Sequence, residues 1–279
     1  MRLFNIVFVL LLVSILAVTL PVTYRIPFGK AEWIGTVYIR ANGSVDPITA
    51  PISNITNVKY IFTGNITGSV VIERGSIDVD GAWFTVQGTG TGISISGSAS
   101  NVALTNLIVK GFERGIDISS HNNRIYKNTI TGNTYGIYVE GSTGNNEIDE
   151  NMLTKNIYGV YTYHSSSNRI WGNSLIQNSH GITLVGYPHF PEYNRVHGNT
   201  LMSNDQGIYL YWASSDVICH NNFISNINNV LQVNQENIVF DDEYPSGGNY
   251  WDDYEGVDTN HNRNKRLLCP SRKMHLLHD

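Results

Sequence analysis

Apolar and polar positions between residues 102 and 237 recur on one short pattern. Five copies align: Asn-Arg-Ile-Tyr-Lys-Asn-Thr-Ile (123–130), Asn-Glu-Ile-Asp-Glu-Asn-Met-Leu (146–153), Asn-Arg-Ile-Trp-Gly-Asn-Ser-Leu (168–175), Asn-Arg-Val-His-Gly-Asn-Thr-Leu (194–201) and Asp-Val-Ile-Cys-His-Asn-Asn-Phe (216–223). Asn133, Asn156, Asn178, Asn204 and Asn226 form a further column, and Gly115, Gly136, Gly159, Gly181 and Gly207 another. Steps between Asn128, Asn151, Asn173, Asn199 and Asn221 are 23, 22, 26 and 22 residues. A fixed period in this range predicts a solenoid.

The contents of one period select the kind of solenoid. The Leu-x-x-Leu-x-Leu spacing of leucine-rich repeats is missing. Short runs alternate instead, as in Ile137 and Val139, Ile182 and Leu184, and Ile208 and Leu210, which predicts half-buried strands. Asn and Gly punctuate the runs, and both tolerate the left-handed backbone of a corner. Two or three strands per coil, stacked about 4.8 Å apart, make an all-β, right-handed, single-stranded parallel β-helix of about 22 residues per coil. Equivalent Asn side chains then stack and bond one another, which satisfies amides that would be costly to bury alone.

The pattern divides the chain. Residues 1–24 read as a signal peptide or N-terminal membrane anchor, 25–65 as an N-terminal cap, 66–237 as the β-helix, 238–264 as an aromatic and acidic C-terminal cap, and 265–279 as a disordered tail. Within the first cap, 33–40 reads as one strand, 42–51 as a turn-rich link and 58–62 as a second strand. Strands at 70–73 and 77–80 follow, and 88–97 leads into the regular coils. The stretch 186–193 accounts for the step of 26; in a solenoid such an insertion is a loop bulging from one face.

Charge narrows the function. Only 15% of residues are charged, the formal net charge is −5, and no basic face is available to track phosphates, so nucleic acid is excluded as a partner. Two cysteines, Cys219 and Cys269, imply no disulfide framework. Met1-Arg2 followed by an apolar run over 3–20 has the charged start and apolar core of a secretory signal and is just long enough to span a bilayer, so the remainder is expected outside the cytoplasm.

The repeated Asn-x-Ile-x-x-Asn coils and the closing Ser-Gly-Gly-Asn-Tyr-Trp-Asp-Asp-Tyr-Glu-Gly-Val-Asp (246–258) resemble the NosD-like family of parallel β-helix proteins, over about residues 34–262. That family lies within a wider carbohydrate-binding and sugar-hydrolase β-helix group. The resemblance implies an exported surface or periplasmic protein, and copper as a possible cofactor, because the family's named member is an accessory in copper loading of nitrous oxide reductase. Similar proteins continue the closing motif into an acidic loop. Here Asp258-Thr-Asn260-His-Asn262-Arg263-Asn264 has Arg at the turn position and lacks the last acids, which weighs against calcium there.

Several side chains could carry chemistry. Counting outward from the ladder Gly, alternation places Tyr138, Tyr161, Thr183 and Tyr209 in one column and Tyr163, Val185 and Tyr211 in another, with His164 and Trp212 at the edge. Tyr138, Tyr161, Tyr163, Tyr209, Tyr211 and Trp212 are therefore candidates for a plate of flat, polar-tipped rings that suits sugars, making a cell-surface glycan or polysaccharide the expected partner. For catalysis, Ser179-His180-Gly181 is similar to the Gly-His-Gly of β-helix pectinases, but the carboxylate pair that hydrolysis needs is missing from its column. His180, His189 and Glu192 could converge at the 186–193 loop as the acid and base of a lyase or epimerase, although Phe190 stands where mannuronan epimerases have a flanking Asp. His197 and Cys219 share an outward column on adjacent coils, with His220 next along; a thiolate and two imidazoles would suit copper or zinc. Asp241, Asp242, Glu243, Asp252, Asp253, Glu255 and Asp258 are an acidic rim or a cation site. Non-catalytic glycan binding is the expected function, with a lyase, epimerase or hydrolase, a copper accessory and a surface-layer component as alternatives.

Overall fold

The computed structural model describes residues 32–141, 144–188, 192–241 and 248–253, and the backbone of 274–277. The apolar N-terminal run, His189 and the 258–264 stretch lie outside these residues. Every regular element among the described residues is a β-strand, and the strands form three sheets of ten, eleven and nine. One coil contributes a strand to each: Arg124–Tyr126 to the third sheet, Thr129–Thr131 to the first and Tyr135–Glu140 to the second. Neighbours are parallel and sit one coil apart, so the chain is a parallel β-helix with three strands per turn.

Inward residues form columns that extend the core coil by coil. Ile66, Val86, Val109, Ile130, Leu153, Leu175, Leu201 and Phe223 of the first sheet are fully buried, as are Ile93, Ile116, Ile137, Val160, Ile182, Ile208 and Val230 of the second. Asparagines fill the corners. Asn151 Oδ1 receives the backbone N–H and the Nδ2–H of Asn128 (3.0 and 3.1 Å), Asn173 does the same for Asn151, and Asn199 for Asn173. Three such ladders run along the cylinder, one per corner; the third begins at Asn123 and passes through Asn146, Asn168 and Asn194. These amides are buried and satisfied, as stacking requires.

The left-handed residues are only in part the Asn and Gly expected. Each corner's left-handed residue precedes the ladder Asn: Lys127, Glu150, Gly172, Gly198 and His220 at one corner, with φ of 53–66°. Three of these five are not glycine, so the inward Asn and its bonds, rather than an absent Cβ, fix the corner. The Gly115–Gly207 column lies inside strands without positive φ. A Cβ there would stand 2.5–2.6 Å from a carbonyl oxygen of the next coil, so glycine is required by close approach.

At the N-terminal end the expected single strand over 33–40 is broken at Gly35 (φ +127°) into Trp33–Ile34 and Val37–Ile39. Both already pair in parallel with the next coil. Antiparallel strands Val45–Asp46 and Ile52–Asn54 pair with Val37–Ile39 and Lys59–Phe62 at this end, covering edges that would otherwise invite another chain. At the far end the closing motif supplies one more rung. Asn249 Oδ1 accepts from Asn221 (3.0 Å), and the Trp251 ring stacks on Phe223 at 4.4 Å. Met274–Leu277 runs parallel to Asn228–Val233 as the last strand of the second sheet.

Candidate functional site

The aromatic face lies on the outside of the second sheet, and the glycine column explains its composition. At each ladder Gly the strand cannot carry a Cβ, and the residues on both sides of the Gly-Ile pair turn outward. Tyr135 and Tyr138 thus share a face, their rings edge to face at 5.2 Å. Plain alternation counts Gly136 as the outward residue, and so misses Tyr135 and Tyr158. The face has three registered columns: Arg114, Tyr135, Tyr158, His180 and Gln206; Asp117, Tyr138, Tyr161, Thr183 and Tyr209; Glu140, Tyr163, Val185 and Tyr211.

The rings use their faces on one another. Tyr135 and Tyr158 stack at 4.9 Å and 10°, Tyr138 and Tyr161 at 5.4 Å and 8°, and His180 continues the first stack at 4.8 Å from Tyr158. The Arg114 guanidinium closes the lower end, 3.9 Å above the Tyr138 ring, while donating to Asp117 (3.0 Å) and Glu140 (3.2 Å). The centre of the plate therefore presents ring edges and hydroxyls, not the flat faces expected. Burial pushes the Tyr138 phenol up to about 12 and raises Tyr135 and Tyr161, so these hydroxyls stay protonated. Rings with open area lie along one margin. Tyr163 is 36% exposed and stacks one face on His164 at 3.9 Å, Tyr187 is 54% exposed with its edge to His164, and Tyr211 meets Trp212 edge to face at 6.4 Å.

Of the catalytic candidates, His180 and Glu192 occupy different places. His180 begins the strand His180–Val185, which is about 16 Å long at about 3.3 Å per residue, and Glu192 follows the loop beyond its other end. His180 is half-buried, and burial holds its imidazole below the ordinary value. Glu192 is buried; its carboxylate accepts the Tyr187 and Ser214 backbone N–H groups (3.1 and 2.9 Å) and so ties the insertion to the next coil. Burial raises its pKa. His189 lies outside the described residues.

In the third sheet, His197 and Cys219 are in register on adjacent coils, and Trp171 stacks over His197 at 6.1 Å. His220 occupies the left-handed corner immediately after. Cys219 is fully buried, and Arg195 Nη2 lies 3.6 Å from its sulfur. A guanidinium at that distance opposes a cation on the thiolate, and among the described residues no three His, Cys, Asp or Glu side chains cluster as metal ligands. His197, Cys219 and His220 are thus not assembled as a metal site among the described residues. Of the acidic rim, Asp252 accepts the Ser225 N–H and Asp253 accepts from Asn229 Nδ2, so both fasten the closing motif to the last coil.

A family model described as "Periplasmic copper-binding protein (NosD)" matches residues 52–256, nearly the whole cylinder and its closing motif. The chain belongs to the NosD family. No curated protein matches this NosD chain. Among solved structures it is similar to DFA-IIIase from Arthrobacter chlorophenolicus A6, at 17% identity over 61% of this chain and 39% of that one, with a TM-score of 0.41. The same enzyme in complex with DFA-III matches at 16% identity over 67% of this chain and 50% of that one, with a TM-score of 0.32. The NosD chain thus spans half or less of the length of these structures.

Proposed function

We propose that this NosD-family protein is exported and binds a glycan, without catalysis, along the outer face of the second sheet. The observation that carries the reading is the registered aromatic face, with phenol hydroxyls in rows at its centre and exposed ring area along its Tyr163–Trp212 margin. Hydroxyls repeating at about 4.8 Å can bond successive units of an extended glycan laid along the axis, and open rings at the margin can pack against sugar C–H faces. A purely scaffolding face would need neither.

The test is a glycan array probed with the full chain, with and without calcium. Retention should weaken about tenfold or more in Trp212→Ala, which removes ring area at the margin, and in Tyr161→Phe, which removes one hydroxyl of the central row. Retained glycans are also the substrates on which to look for turnover. An array that retains nothing would overturn the proposal. Copper handling, the family's described property, would then be tested by metal analysis of the full chain after dialysis.

A further inference from the structure

The second aromatic column is interrupted once. Thr183 stands where the two preceding coils carry Tyr138 and Tyr161 and the following coil carries Tyr209. Thr183 is 1% exposed, and its Oγ1 has no hydrogen-bond partner. Beside it on the same face, His180 Nδ1 and Gln206 Oε1 are also buried; the two side chains are in register on adjacent coils and interact, but neither atom makes a well-aligned hydrogen bond. Buried polar atoms are nearly always satisfied, and three adjacent exceptions on an outward face point to a group that the polypeptide does not supply.

The ring above differs from those below. With Thr183 beneath it, Tyr209 has left the parallel stack and leans on His180, at 5.6 Å and 48° between planes. The charge of the face is equally informative. Among the described residues Arg114 is engaged by two carboxylates, Arg40, over Tyr38 three coils before Asp117, is engaged by Asp46 and Glu73, and the strands of the sheet carry no lysine. Burial keeps His180 neutral near pH 7. An acidic sugar would find no cation to meet its carboxylate here, whereas a neutral ring brings hydroxyls that both donate and accept.

Resting on the glycan-binding reading above, we infer that Thr183, His180 and Gln206 form the subsite that selects the sugar, and that it takes a neutral hydroxyl-bearing ring rather than a uronic acid. A ligand hydroxyl reaches these atoms as the tilted Tyr209 ring turns aside. It then accepts from Thr183 Oγ1 and donates to Gln206 Oε1 or to His180 Nδ1.

The test uses the full chain and pairs of oligosaccharides matched in length and linkage, one neutral and one uronic. Wild type should retain the neutral member of a pair. Thr183→Val, which keeps the shape and removes the hydroxyl, should bind it about tenfold or more weakly, while Thr183→Ser stays within about twofold of wild type. The valine variant should melt no lower than wild type, because it deletes a buried unsatisfied group. Preference for uronic oligosaccharides, or unchanged affinity in Thr183→Val, overturns this inference and leaves the binding face standing. Loss of all retention by wild type overturns the face and the subsite together.

Discussion

Asp216 shows how much one atom matters in a ladder. It takes the rung after Asn123, Asn146, Asn168 and Asn194 and accepts the Asn194 N–H at 2.7 Å, but where asparagine has a donor it has Oδ2, buried and without a partner. Burial, reinforced by nearby Glu192, pushes its pKa up to about 8. The native state therefore keeps a proton that the unfolded chain has already lost above pH 4. Native stability should fall as pH rises from about 4 to about 8, by at most about 1.4 kcal/mol per pH unit, and level off above that. Glu192 contributes with the same sign. Melting temperature followed against pH should show this decline in wild type and a much flatter profile in Asp216→Asn, with the variant the more stable at pH 8. Equal slopes would assign the proton elsewhere. The column containing Asp216 is legible in the sequence; that a carboxyl there must hold a proton is not, because it depends on what surrounds Oδ2.

The strands of the second sheet show why the period was easier to read than the face. Repeats announce themselves by position, and the inward isoleucines, leucines and asparagines all lie where the columns put them. Which residue turns outward next to Gly159 depends on a backbone contact between coils. A Cβ at Gly159 would meet the Gly181 oxygen at 2.5 Å and Leu175 at 2.9 Å. Gly159→Ala should therefore cost about 2 kcal/mol or more in a denaturant melt, and should weaken the near-ultraviolet tyrosine signal as Tyr158 leaves its stack between Tyr135 and His180. An alanine tolerated without change in either would mean that the coils slide apart cheaply. The same contact explains why Tyr135 and Tyr158 escaped a count by twos while Tyr138, Tyr161 and Tyr163 did not. The Thr183 subsite was half legible: its place among tyrosines is visible in the sequence, but its unsatisfied hydroxyl is not.

At the scale of the molecule each coil touches only its neighbours, so stability is nearly a sum of coil and interface contributions. The last interface rests on Trp251, whose ring covers Phe223 at 4.4 Å. Trp251→Ala should uncover the end of the core and cost about 3 kcal/mol or more, with amide exchange rising first in the 217–233 coil and fading toward the N-terminus. Uniform loss of protection along the chain would instead show that the cylinder melts as one unit. The closing motif was readable as an ending from its aromatic and acidic composition, but not that Asn249 serves as one more rung, because that depends on its bonds to the coil before.

The asparagine ladders also have a direction. Along each one, the amide oxygen accepts from the coil before, starting from the backbone N–H groups of Val102, Leu107 and Phe112; one amide N–H reaches the coil that follows, and the other returns to a backbone carbonyl of the coil before, as at Asn151, Asn173 and Asn199. The side-chain dipoles therefore add, as peptide dipoles do along an α-helix, and give the cylinder a positive pole at its C-terminal end. Carboxyl groups meet that pole: Asp216 ends one ladder, and Asp253 receives the last donor of another through Asn229. The carboxyl groups at the ladder ends thus face the donor ends of the asparagine-rich middle.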